Sequence, residues 1–327
     1  MVTAGASARV AGRLLGRDLV GERPVTVDQT NESVIVADQA VVKWLRPPVP
    51  SPHPGAELLA HLKAVGFFEM PAFIGIHEHD GMVEAIVTEY VPDSLDGWDW
   101  LVDDIDAWVQ GLLDTDRLLA IAWRVGELAA HLHTALAGLQ RATIGTRTYH
   151  ADAIAMLDEA LRIVDGEEGR RLRALEPSVR AALEPLRGDR MLPAHRVHGD
   201  LHIGQFLRSG SHVLVTDFDG NPLSDSVQRR LPQSPLRDLA QLLQSIDHAG
   251  RIVVKRRHPD RGADVALISH LAIEQALGAY RADHAVDAEV LAALRVSAEL
   301  HEYLYAARHL PRWMYVPDAA MPALLGA

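Results

Sequence analysis

The hydrophobic period of this chain changes once, near Trp98, from the alternation of strands to the spacing of helices. A chain patterned in that order is limited to an α+β fold with a β-rich beginning and an α-rich remainder. Upstream, residues 25–28, 33–36 and 40–45 are β-rich runs separated by Asp, Gln and Asn, as successive antiparallel strands would be. Pro47, Pro48, Pro50, Pro52 and Pro54 then make a loop that cannot stay helical. The pattern predicts a helix over 55–65, closed by Gly66 and Pro71, and two more strands at 72–77 and 82–90. Downstream, Leu118, Leu119, Ala122, Val125, Leu128, Ala129 and Leu132 form the i, i+3, i+4 stripe of an amphipathic helix over 118–139. Further helices are expected over 151–186, as a pair broken near Pro177, and over 236–249, 263–284 and 288–310, with a hairpin at 206–217 among them.

At 327 residues the chain exceeds the usual size of one core, so two lobes sharing a cleft are expected, a small antiparallel β lobe at 1–91 and a larger α-rich lobe at 92–327. A formal net charge of −12 argues against nucleic acid or an anionic membrane as partner. The absence of cysteine removes disulfides, thiolate nucleophiles and thiolate-held metals. Residues 1–20 lack the apolar stretch of a secretory signal, and no run of about 18 apolar residues follows. A soluble cytoplasmic protein is therefore the expectation.

The chemistry is concentrated in His198-Gly199-Asp200-Leu201-His202-Ile203-Gly204-Gln205 and the following Val213-Leu214-Val215-Thr216-Asp217-Phe218-Asp219-Gly220. Phosphoryl transfer from ATP needs a base to orient the attacking hydroxyl and oxygen ligands to hold Mg²⁺ against the phosphates. Asp200 would be the base; Gln205 and Asp217 would be the metal ligands. Lys43, in Val41-Val42-Lys43-Trp44-Leu45, is the cation such a reaction places on the α- and β-phosphates, and Glu57 on the next helix is the acid expected to steady it. The glycine-rich phosphate loop of protein kinases is missing. Asp28-Gln29-Thr30-Asn31-Glu32-Ser33 stands in its place, where backbone N–H groups with the Asn31 and Ser33 side chains could cradle phosphate. The Glu89 carbonyl and the Val91 N–H, at the linker after the last strand, are the candidates for reading adenine. His198 and His202 read as partners that order the loop, since imidazole is not what Mg²⁺ selects. Asp219 could approach metal or substrate, or cap the turn at Gly220-Asn221-Pro222. Asp238, in Pro235-Leu236-Arg237-Asp238-Leu239, could serve both its helix and the catalytic loop.

These residues resemble the aminoglycoside phosphotransferase-like kinases, and within them the maltokinase and actinobacterial glucosamine kinase branch. The likeness runs from the 28–33 loop and Lys43 through Asp200 and Gln205, then Asp217 to Pro222, to Ser234-Pro235-Leu236-Arg237-Asp238-Leu239-Ala240. The stretch His301-Glu302-Tyr303-Leu304-Tyr305-Ala306-Ala307-Arg308-His309-Leu310-Pro311-Arg312-Trp313 is similar to the sugar-site motif of the glucosamine kinases. The resemblance implies a bilobal protein-kinase-like fold and Mg-ATP-dependent phosphorylation of D-glucosamine at O6. Glu302 would then pair the substrate ammonium and Trp313 pack on the sugar ring, with His301 and Asp219 near the acceptor. His133 either reaches the acceptor or is a buried structural histidine. Maltokinases carry a sizeable N-terminal cap domain, which the short stretch ahead of the first expected strand would reduce to a vestige. Other amino sugars, aminoglycosides, maltose and a catalytically silent nucleotide-binding module are the rival readings.

Overall fold

The computed structural model describes residues 3–25, 31–221 and 226–326. It is α+β, and the chain divides into two compact units: Met1–Leu95 with Phe206–Leu231, and Asp96–Gln205 with Pro232–Ala327. The division differs from the expected boundary after residue 91, because the hairpin that follows the catalytic loop clusters with the N-terminal strands.

The first unit is built on an antiparallel sheet of β1 (Glu22–Pro24), β2 (Glu32–Val36), β3 (Ala40–Pro50), β4 (Phe73–His79) and β5 (Met82–Glu89), in the order β1-β2-β3-β5-β4. The expected strand over 25–28 falls mostly outside the described residues, and β1 lies just before it. The proline loop is also shorter than expected, since β3 runs on to Pro50. Its pairing with β5 breaks between Trp44 and Val49, so Pro47 and Pro48 sit where the ladder needs no donor. Pro54 opens α2 (Pro54–Ala64) at its first turn, where a missing N–H costs nothing.

An unforeseen helix, α1 (Ala6–Leu15), precedes the sheet. Arg9, Arg13 and Arg17 point to solvent at a four-residue interval, while Ser7, Val10 and Ala11 bury against Val34, Val36, Val42, Trp44, Ala85 and Val87. The Trp44 indole Nε1 donates to Ser7 Oγ at 3.0 Å. Glu22 on β1 takes the place of a cap, accepting from the Gly5 and Ala8 amides at 2.9 and 2.7 Å. The last elements of this unit are β6 (Phe206–Ser209) and β7 (His212–Val215), a two-stranded hairpin.

The second unit is helical: α3 (Gly97–Val109), α4 (Thr115–Leu136), α5 (Thr146–Ile163), α6 (Gly166–Leu183), α7 (Pro235–Arg256), α8 (Gly262–Asp283), α9 (Ala288–His309) and α10 (Tyr315–Leu325). The break between α5 and α6 falls at Val164 and Asp165 rather than at Pro177, which lies inside α6. Helix α10 was not expected, and it takes Pro317 in its first turn and Pro322 within it. Gly126 on α4 lets that helix lie against α8, since a Cβ there would overlap the Ala276 carbonyl. Among the described residues no helix is long and apolar enough to cross a membrane.

The α4/α8 crossing generates a stability prediction. Gly126→Ala should cost up to about 2 kcal/mol in urea denaturation, because overpacking against the Ala276 carbonyl, about 1–3 kcal/mol, outweighs the roughly 1 kcal/mol by which helix propensity favours alanine. An unchanged midpoint would mean that the two helices separate freely.

Candidate active site

In the first unit the register of the sheet sets the cation. Ser33 on β2 lies directly opposite Lys43 on β3, so their side chains share a face. Past β7 the backbone turns through Asp217 at φ 59°, a left-handed conformation that a residue with a Cβ adopts only under strain. That turn buries Phe218 and delivers two carboxylates to one ammonium: Lys43 Nζ donates to Asp217 Oδ1 at 2.7 Å and stands 3.0 Å from Asp219 Oδ2. Burial alone would lower the Lys43 pKa, but the two carboxylates outweigh it and raise the pKa above its ordinary value. Asp219 is thus committed to Lys43.

Glu57, expected to steady Lys43, accepts from Arg230 Nε at 2.9 Å instead, and Arg230 also donates to the Pro52 carbonyl. The reason is local. Gly55 brings the N-terminus of α2 so close to the Phe218 carbonyl that a Cβ would meet it at 2.7 Å, and the turn from β7 supplies its own acids to Lys43. His53 caps this helix with Nδ1, accepting from the Gly55 and Ala56 amides at 3.1 and 3.4 Å. Burial lowers its pKa, and the neutral ring is the form such a cap requires. Asn31 is half-buried ahead of β2, whereas Asp28, Gln29 and Thr30 lie outside the described residues. At the linker, the Glu89 amide is taken by the Ala72 carbonyl at 2.9 Å and the Tyr90 amide by Gln39 at 3.0 Å. Ser94 Oγ donates to the Val91 carbonyl at 2.9 Å.

In the second unit the catalytic loop is strapped from beneath. Asp238, in the first turn of α7, is buried and accepts from the His198 amide at 2.8 Å and the Gly199 amide at 3.0 Å. Its remaining neighbour is His133 on α4, with Nε2 at 3.3 Å and Nδ1 2.8 Å from the Tyr280 hydroxyl. His133 has no exposed surface, so it supports the loop and does not face an acceptor. Burial would raise the Asp238 pKa, but His133 and the loop amides more than offset it and hold the carboxyl below its ordinary value.

Above that strap Asp200 Oδ1 accepts from Gln241 Nε2 at 2.8 Å, and the side chain stays 18% exposed. Gln205 Nε2 donates to His202 Nε2 at 3.2 Å, which leaves the amide oxygen as the hard donor that Mg²⁺ takes. Asp217 offers carboxylate oxygens of the same kind. The chain's residues therefore fit that ion, although among the described residues no group of three or more His, Cys, Asp or Glu side chains forms a closed metal cage.

A ring cluster runs from the loop to α9. Trp98 stacks on His202 with centroids 5.6 Å apart, and meets Trp313 edge-on at 5.7 Å. Trp313 Nε1 donates to Glu302 Oε2 at 2.9 Å. The two proposed acceptor residues are thus joined, with His301 half-buried beside them on α9. From sequence Trp98 reads only as part of the acid-aromatic patch Asp96-Gly97-Trp98-Asp99-Trp100, either at the mouth of the site or a solvated helix start. Two glycines admit it: a Cβ on Gly97 would overlap the Ile203 carbonyl, and one on Gly204, in the Asp200 loop, would strike the Trp98 indole.

No protein-family model matches the chain. It is 41% identical over 327 residues to the glucosamine kinase of Streptacidiphilus jiangxiensis, spanning 94% of this chain and 74% of that protein. It is 39% identical over 319 residues to the glucosamine kinase of Mycolicibacterium smegmatis, spanning 93% and 80%. A solved glucosamine kinase in complex with glucosamine, ADP and inorganic phosphate has a TM-score of 0.88 at 37% identity, covering 98% of this chain and 86% of that one. An aminoglycoside phosphotransferase solved with GDP and kanamycin, 14% identical, shares the fold at a TM-score of 0.54 over 99% of each chain.

Asp238→Ala should cost about 3–5 kcal/mol, since it leaves two buried amides and His133 without their acceptor. The depressed carboxyl also fixes the pH dependence. Its stabilisation is complete above the unfolded carboxyl value of about 3.9 and is lost as pH falls through the folded value. The difference in urea midpoint between the wild type and Asp238→Asn should therefore shrink below about pH 4; a constant gap would show that the charge of Asp238 does not stabilise the fold.

Proposed function

The chain belongs to the glucosamine kinase family, and on that premise we propose that it transfers the γ-phosphoryl group of Mg-ATP to O6 of D-glucosamine, giving glucosamine 6-phosphate. The observation that carries the reading is the fixed, partly exposed carboxylate of Asp200, oriented by Gln241 at 2.8 Å on a loop strapped to Asp238.

Asp200 accepts the proton of the 6-hydroxyl as that oxygen attacks phosphorus. Gln241 holds one carboxylate oxygen, so the other faces the acceptor in a defined orientation, which is how a weak base becomes an effective one. Lys43 binds the α- and β-phosphates. Its raised pKa keeps it cationic throughout the working range, so the phosphates meet a permanent charge. Asp217 and Gln205 are the oxygen donors proposed for Mg²⁺, which would neutralise charge on the phosphate oxygens. Asn31 and Ser33 are proposed to approach the phosphates, and the Glu89 carbonyl and Val91 N–H to read the adenine edge. Glu302 pairs the 2-ammonium of the sugar, and Trp313, whose N–H already orients that carboxylate, gives the ring an apolar face.

A coupled ADP-release assay with Mg-ATP tests the reading against glucosamine, N-acetylglucosamine, glucose, maltose and kanamycin. Turnover with glucosamine and little with the others is expected; turnover with kanamycin or maltose alone would leave a kinase and remove this substrate. Asp200→Ala should lower kcat by roughly 10²–10⁴-fold with ATP affinity nearly unchanged, and equal loss of ATP binding would take Asp200 out of the role of base. Glu302→Gln should raise the glucosamine KM by about tenfold to a hundredfold, the worth of one charge-assisted hydrogen bond.

A further inference from the structure

Deep to Trp313 lies an ion pair that the reaction as described does not use. His248 on α7 donates from Nε2 to Glu299 Oε2 on α9 at 2.9 Å, and the two side chains are 4% and 0% exposed. Two charged groups withdrawn from water in this way add little net stability compared with an apolar pair of the same volume. Their placement is therefore the more informative property. The His248 ring meets Trp313 edge-on with centroids 6.2 Å apart and planes at 85°. Trp98 meets the same indole at 78° and Tyr315 meets it at 64°. Three rings from α3, α7 and the start of α10 thus fix one indole, and that indole has a single polar atom, Nε1, which it gives to Glu302.

Glu299 and Glu302 are one turn apart on α9, both carboxylates. His248 is the ring that separates them, bonding Glu299 and packing against the indole that bonds Glu302. Burial alone would make His248 neutral, but Glu299 outweighs this and raises its pKa, with Glu302 and Asp247 adding to the effect. The imidazolium form is thus favoured, and it offsets Glu299, which also lies in the field of the buried Arg295 guanidinium one turn earlier on α9. The chain of contact is continuous: Glu299 to His248, His248 to Trp313, Trp313 to Glu302, and from Trp313 through Trp98 to His202 of the loop that carries Asp200.

We propose that the His248–Glu299 pair is a positioning device for the amino-sugar site, setting the Trp313 indole so that its N–H aims Glu302 at the substrate ammonium. The inference rests on Glu302 as the amine-reading carboxylate and adds residues that touch no substrate atom. The pair acts on acceptor binding and leaves phosphoryl transfer alone, because it lies on the acceptor side of the ring cluster and Asp200 has its own support in Gln241 and Asp238.

The test is steady-state kinetics of His248→Gln, Glu299→Gln and the double variant, with Glu302→Gln beside them. Each single variant leaves a buried partner unmatched and can fail to fold; the double variant replaces the ion pair by two amides able to bond each other and carries the test in that case. The expected result for the folded variants is a glucosamine KM raised tenfold or more, with kcat and the ATP KM within about threefold of the wild type. Quenching of tryptophan fluorescence by glucosamine should weaken in parallel, whereas a loss of packing alone would lower the melting temperature without separating KM from kcat. A glucosamine KM within twofold of wild type in the double variant, while Glu302→Gln raises it, would overturn the positioning role and leave the amine site standing. Failure of Glu302→Gln to raise the KM would overturn the amine site and this inference with it.

Discussion

Asp238 carries a charge where no water reaches it, and the shape of the catalytic loop follows from that charge. A buried carboxylate must be satisfied, and here the nearest donors are the amides of His198 and Gly199. Gly199, at φ 84°, can turn both amides inward in succession. Once those bonds are made the loop has one geometry, in which Asp200 emerges on the far side and Gln241, on the next turn of the same helix, takes one of its oxygens. His133 and Tyr280 extend the support to α4 and α8, the two helices that Gly126 allows to pack backbone to backbone. The carboxylate proposed as the base is therefore held by a buried network that reaches α4, α7 and α8.

A comparable economy governs the first unit. The turn after β7 stores strain at Asp217 and is held by the burial of Phe218 and by the approach of Gly55. Its two acids converge on Lys43 without the Glu57 carboxylate, which tethers Arg230. The two carboxylates raise the Lys43 pKa and so favour its ammonium form, the property wanted of the cation proposed to meet the phosphates.

Much of this was legible in the chain, and the failures have physical causes. The alternating runs around Lys43 and the stripe over 118–139 announce their elements, because one buried face imposes a period. Asp200, Gln205 and Asp217 were singled out because phosphoryl transfer asks for such groups near a loop and a strand end, and their roles are proposals. The proline-rich tract misled, since proline excludes helix but is tolerated where a ladder is interrupted. Helix α1 was overlooked because its residues are small; only the four-residue spacing of Arg9, Arg13 and Arg17 hinted at it. Glu57 was placed on Lys43 by analogy with other kinases, and nothing in its neighbours reveals Arg230, which is distant in sequence. The ring cluster was only half visible, for Trp313 stood in a recognisable motif while Trp98 and His248 become partners through packing alone.

The chain contains three lysines, Lys43, Lys63 and Lys255. Acylating reagents attack the unprotonated amine, and clamping by Asp217 and Asp219 leaves Lys43 almost none of that form. Lys63 hydrogen-bonds the Phe73 carbonyl on an exposed face, and Lys255 lies over the Tyr315 ring. Amine-directed dyes or immobilisation chemistries should thus find Lys63 and Lys255 ahead of Lys43, so a label coupled through lysine would sit away from the cation proposed for the phosphates.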